Sequence, residues 1–156
     1  MGLNGMLGSA GVGAFVGTFH HNLDPKKRLT LPSEWRELVG EPQSLFVLPG
    51  VNDPCLCVYP ARSFALRLEK LRNFSIADEK GRQFQRSLAS RSLHTGWDAQ
   101  GRFRLRDDLL GYAGIGSQVV LVGCLESFEL WSPERWPEQQ ATDMEGFLEG
   151  AKYVGL

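Results

Sequence analysis

Hydrophobic and polar positions alternate twice along this chain in the same order. In "NLDPKKRLTLP" Leu23 precedes a polar turn, and Leu29 and Leu31 follow it on one face. In "GWDAQGRFRL" Trp97 precedes a turn, and Phe103 and Leu105 follow it on one face. Period-two alternation of this kind predicts half-buried strands. A short amphipathic piece comes next in each case. "PSEWREL" predicts a brief helix with Ser33 as its N-cap and Trp35 and Leu38 three apart; "RDDLLGYAG" is its counterpart, with Asp107 or Asp108 at the start, where acidic groups are favoured. Apolar runs then follow, "SLFVL" and "LCVYP" in the first half and "QVVLV" and "FELWS" in the second.

The two series are one pattern written twice. Displaced by 74 positions, His20, Asp24, Arg28, Leu31 and Gly40 fall on His94, Asp98, Arg102, Leu105 and Gly114. Each half reads strand, turn, strand, short helix, strand, turn, strand, which is an α+β, mainly β, organisation. Between the halves, Phe64, Leu68 and Leu71 sit at helical spacing, a polar break follows, and then come Phe84 and Leu88, so two helices are expected there. Ser132-Pro133 is expected to open a further helix after the second half, with Pro at its first position. The resulting division is a Gly-rich, flexible extension over 1–17, repeats over 18–63 and 91–135, a helical connector over 64–90, and a C-terminal helix or tail over 136–156.

Composition narrows the class. At 42% hydrophobic and 22% charged, the 156 residues suit one domain or two closely packed halves. No apolar run reaches the length of a membrane span, and the N-terminal stretch lacks the basic region of a signal peptide. Three cysteines, an odd number without a secretion signal, point to reduced thiols and a cytosolic home. Cys55 and Cys57 read as small buried hydrophobes on one strand face, and the histidines share no ligand spacing, so no metal and no cofactor are expected.

Net charge is −1, but its distribution is uneven. Residues 61–92 carry eight Lys and Arg against three Asp and Glu, a net +5. Residues 93–156 carry five against ten, a net −5. Catalysis finds no support: there is no phosphate-binding loop, nucleophile elbow or zinc-protease motif. Asp24 and Asp98 each have an Arg four residues on, which holds a carboxylate ionised rather than preparing it for proton transfer.

The turns themselves have two readings. Asp accepts hydrogen bonds within its own turn, and an exposed Arg pairs with it at little gain. Lys26 and Lys27, however, add cations with no acidic partner visible in the sequence. A protruding turn with Lys, Lys and Arg suits phosphate oxygens and guanine edges. In the second half "RFRLR" places Arg102, Arg104 and Arg106 in a row on one strand face. The competing readings are a β-barrel protein-assembly module whose turns are only solvated, and an antitoxin.

From Phe15 to about Trp136 the chain resembles the MraZ family of bacterial transcriptional regulators, which are built from two SpoVT/AbrB-type repeats. "NLDPKKRLTLP", "DPCLCVYP", "QRSLASRSLHTGWDAQGRFRL" and "LVGCLESFELWSPERW" are similar, in order, to the family's signature segments. One departure lies in the first turn, where the family's Gly before Arg is Lys27. The resemblance implies an interleaved, swapped-hairpin β-barrel flanked by helices. It implies a cyclic homo-oligomer that binds double-stranded DNA at direct repeats in the promoter of the division and cell-wall gene cluster. No membrane and no small-molecule substrate are implied, and the setting is the cytoplasm and nucleoid. Carried onto this chain, Arg28 is the base-contacting candidate, Lys26 and Lys27 contact phosphates, Arg102 is the counterpart of Arg28 with Arg104 beside it, and Asp24 and Asp98 shape the turns.

Overall fold

The computed structural model describes residues 13–73, 77–139 and 143–156. The expected Gly-rich extension lies mostly outside these residues, but its end belongs to the core. Phe15 is 3% exposed and pairs by a β-bridge with Leu125. Its ring stands edge-on to Trp35 at 5.5 Å and lies 5.3 Å from Phe128.

The first half contributes β1 (Thr18–Asn22), β2 (Arg28–Thr30), α1 (Ser33–Val39), β3 (Leu45–Pro49) and β4 (Leu56–Pro60). Two connector helices follow, α2 (Ala61–Arg72) and α3 (Glu79–Arg91). The second half contributes β5 (Leu93–Thr95), β6 (Arg102–Arg104), α4 (Asp107–Ala113), β7 (Gln118–Gly123) and β8 (Phe128–Trp131). The short α5 (Trp136–Gln139) and α6 (Met144–Val154) end the chain. This is an α+β, mainly β, fold. No helix among the described residues is long and apolar enough to cross a membrane.

The halves are interleaved rather than adjacent. A six-stranded antiparallel sheet runs β1-β7-β8-β4-β3-β5, and a separate ribbon pairs β2 with β6. The first strand of each half therefore leaves its own half and pairs with the third strand of the other. Register shows the local two-fold directly. Leu29 lies opposite Phe103, its repeat counterpart, and Cys57 lies opposite Glu129.

Alternation decides which face of the sheet is core. Val119, Leu121, Phe128, Leu130, Leu56 and Val58 join Leu29, Phe103, Trp35 and Leu109 in the main cluster. The neighbouring positions Val120 and Trp131, with Cys55, form a smaller cluster on the opposite face. Phe128 and Trp131 are thus core residues, whereas Phe84 on α3 is 47% exposed.

Two expected helix starts differ. Pro32, not Ser33, is the N-cap of α1, and no side chain caps it. The fixed φ of Pro presets that entry and leaves Ser33 in the first turn. Pro133 lies in a turn that the N–H groups of Arg135 and Trp136 close on the Ser132 carbonyl at 3.1 and 3.0 Å, and α5 starts at Trp136.

Phe15 generates a test. A chain starting at Ala14 keeps this ring and is expected to match the full chain in stability. Phe15→Ala is expected to cost about 3 kcal/mol, the usual scale for emptying a buried aromatic site. Urea denaturation of both variants measures this; equal midpoints would show that Phe15 is peripheral.

Candidate nucleic-acid interface

Each Asp-to-Arg turn is organised by its carboxylate. Asp24 Oδ1 accepts the N–H groups of Lys26 and Arg28 at 2.9 and 2.8 Å, and Oδ2 accepts from Arg28 Nε at 2.6 Å. Asp98 repeats the arrangement: Oδ1 accepts from Gln100 and Arg102 N–H at 3.0 and 2.9 Å, and Oδ2 from Arg102 Nε at 2.9 Å. Backbone bonds close both loops, from Lys27 N–H to the Asp24 carbonyl and from Gly101 N–H to the Asp98 carbonyl, each at 2.9 Å. Burial opposes the charge on Asp24, but the hydrogen bonds from Arg28 and Lys26 outweigh it and hold the carboxyl below its ordinary range. For Asp98 the Arg102 N–H is the largest influence, in the same direction.

The third loop residue is left-handed in both turns. Lys27 has φ 61° and Gly101 has φ 80°. Lys27 thus adopts the backbone that the glycine of the family pattern would take. Its carbonyl is used across the two-fold: Leu105 N–H donates to the Lys27 carbonyl at 3.0 Å, and Leu31 N–H donates to the Gly101 carbonyl at 2.8 Å. Each turn is therefore locked to the strand of the other half. The side-chain environments differ. A β-carbon at position 101 would meet the Arg36 guanidinium at 2.5 Å, so a side chain there would have to displace that guanidinium. The counterpart of Arg36 is Leu110, buried in the core, and Lys27 stays about half exposed.

That half-exposed lysine does have an acidic partner. Lys27 Nζ lies 2.9 Å from Asp107 at the start of α4. The sequence hid this pair because 80 residues separate its members. Lys26 remains exposed at the tip and makes no side-chain bond to another described residue.

The ribbon gathers the candidates on one surface. Leu29 and Phe103 point to the core, so their neighbours Arg28, Thr30, Arg102 and Arg104 occupy the outer face. Arg28 is opposite Arg104, and Thr30 is opposite Arg102. Asp24 holds Arg28 through Nε alone, and the two Nη groups bond to no other described residue. Arg102 differs slightly, with Nη2 reaching Gln100 Oε1 at 3.4 Å. Arg106 leaves this surface: its guanidinium binds Asp108 and the carbonyls of Arg91 and Ser92. Arg28, Arg102 and Arg104 thus share one face, with Lys26 exposed at the turn and Lys27 paired with Asp107, while the arginine row expected over 102–106 is broken at its last member.

The chain matches the family described as "MraZ protein, putative antitoxin-like" over residues 14–87 and 94–152. It is 32% identical over 144 residues to the transcriptional regulator MraZ of Clostridium acetobutylicum, covering 91% of this chain and 99% of that protein. It is 38% identical over 136 residues to the transcriptional regulator MraZ of Corynebacterium jeikeium, covering 87% and 93%.

The carboxylate-centred turn predicts an ordered pair of variants. Asp24→Asn keeps an oxygen for the two backbone N–H groups, whereas Asp24→Ala keeps nothing, so the alanine variant should melt several degrees lower than the asparagine one. Because the folded pKa of Asp24 and Asp98 is depressed, their stabilisation is complete above the unfolded carboxyl range and is lost as pH falls through the folded values. Asp24→Asn should accordingly lose less stability than the parent between about pH 5 and pH 3. Thermal melts across that range check both statements; identical melts for the two variants would contradict the turn's dependence on Asp24.

Proposed function

The chain belongs to the MraZ family, and we propose that it acts as a DNA-binding transcriptional regulator that reads its operator with the outer face of the β2–β6 ribbon. The observation that carries this reading is the convergence of Arg28, Arg102 and Arg104 on one exposed ribbon face with Lys26 beside it. A two-stranded ribbon fits the major groove, and a guanidinium fixed at Nε with its Nη groups free is prepared for the two acceptors of guanine. Asp24 and Asp98 shape the turns that present the arginines. Lys26 and Lys27 serve phosphates, with Lys27 exchanging Asp107 for a phosphate oxygen when DNA is present. No catalytic group and no cofactor enter this reading.

One such face carries few cations and would bind weakly alone. Assembly into a ring repeats the face, and each further contact becomes intramolecular. Tandem direct repeats in the promoter of the division and cell-wall gene cluster are the matching partner, with repression as the outcome, in the cytoplasm and nucleoid. Apolar surface left over by the fold supports self-association. Met144, Phe147, Leu148 and Val154 are exposed on α6. Phe46, Phe64, Leu68, Leu71 and Leu88 line a groove of roughly 400 Å³ beside α2 and α3. The acidic second half and the basic connector also complement each other in charge.

The test uses the protein's own upstream DNA, footprinted first to locate the repeats. A fragment with tandem repeats should bind far more tightly than one with a single repeat. Arg28→Ala should weaken specific binding by about 1–3 kcal/mol without loss of fold. Equal affinity for both fragments would refute ring-based reading, and unchanged binding by folded Arg28→Ala would refute the ribbon as the reading surface.

A further inference from the structure

The outer face of the central strands carries a side-chain cluster that DNA binding does not use. Where β4 pairs with β8, the local two-fold sets unlike residues against each other, Cys57 opposite Glu129. Cys55 stands just before β4, its N–H bonded to the Asp53 carbonyl and its carbonyl to Gly50 N–H, each at 2.8 Å. The sulfurs of Cys55 and Cys57 and a carboxylate oxygen of Glu129 all lie within 4.8 Å of one another.

We propose that Cys55, Cys57 and Glu129 bind a thiophilic divalent cation of the zinc class. Zinc–sulfur bonds of about 2.3 Å and zinc–oxygen bonds of about 2.1 Å place neighbouring tetrahedral donors roughly 3.5–3.8 Å apart. The cluster would need to contract by only about 1 Å to reach that spacing. The donor set, rich in sulfur, selects zinc-like ions over magnesium or calcium. Glu129 is already oriented from behind, since Trp131 Nε1 donates to its Oε1 at 2.9 Å, as outer partners orient metal ligands elsewhere.

On binding the ion each thiol becomes a thiolate ligand, its proton passes to solvent, and the sulfur oxidation state does not change. The ion would clip the two halves together at their central seam, independently of what the ribbon binds.

The experiment titrates the full-length, reduced, metal-free chain with Co2+, then displaces it with Zn2+. One Co2+ per chain should bind with a thiolate-to-cobalt charge-transfer absorption that Zn2+ bleaches. Glu129→Gln and Cys57→Ser, each confirmed as folded by circular dichroism, should weaken binding by at least about tenfold. Absence of the charge-transfer band in the parent chain overturns the proposal whether or not the variants fold. So does a band that persists unchanged in folded Cys57→Ser and Glu129→Gln, which would place the ion elsewhere.

Discussion

Leu29 meets Phe103 across the β2–β6 ribbon, and both are essentially removed from solvent. These two side chains sit at equivalent positions of the two halves, so their contact fixes the local two-fold. The register it imposes puts Arg28 against Arg104 and Thr30 against Arg102 on the opposite face. It also brings each left-handed turn residue within reach of the other half, where its carbonyl receives the N–H of Leu105 or Leu31. A slip of one residue would turn the arginines into the core, which burial of unpaired charge forbids. The same contact that organises the core thus presents the basic surface.

That arrangement reconciles a nearly neutral chain with a polyanionic partner. Much of the positive charge along the sequence lies in α2 and α3, yet many of those cations stand on solvated helix faces, and Arg67 and Arg72 pair with Glu126 and Glu69. The ribbon carries fewer cations but holds them on a rigid two-stranded frame, with carboxylates fixing Arg28 and Arg102 through one nitrogen each. Preorganised donors lose less entropy on binding than free side chains do. Local geometry, not net charge, is what supports the proposal that the ribbon is the face for DNA.

Much of this was legible in the sequence. Asp24 and Asp98, each with an Arg four residues on, stood out because turn chemistry is local. Period-two alternation located the strands that place Leu29 and Phe103 inside. The exchange of β1 and β5 between halves was not legible from periodicity, since both partners show the same alternation; only the family resemblance implied it. Lys27 looked unpaired because Asp107 is remote in sequence and adjacent only once β2 lies on β6. Phe84 and Phe128 read alike as apolar aromatics, and only the sheet decides that Phe128 is inside while Phe84 is exposed. Cys55 and Cys57 were rightly placed on one face, but Glu129 joins them through strand pairing that no spacing rule reveals.

The proposed reading surface can be mapped directly by amide hydrogen exchange on the chain alone and bound to a footprinted fragment of its own upstream DNA. Added protection should concentrate in residues 24–30 and 98–106, with α2 and α3 unchanged except where copies touch one another, a contribution that exchange at several protein concentrations without DNA identifies. Protection that appears with DNA along α2 and α3 while the ribbon stays as it was would contradict the account and move the interface to the basic connector.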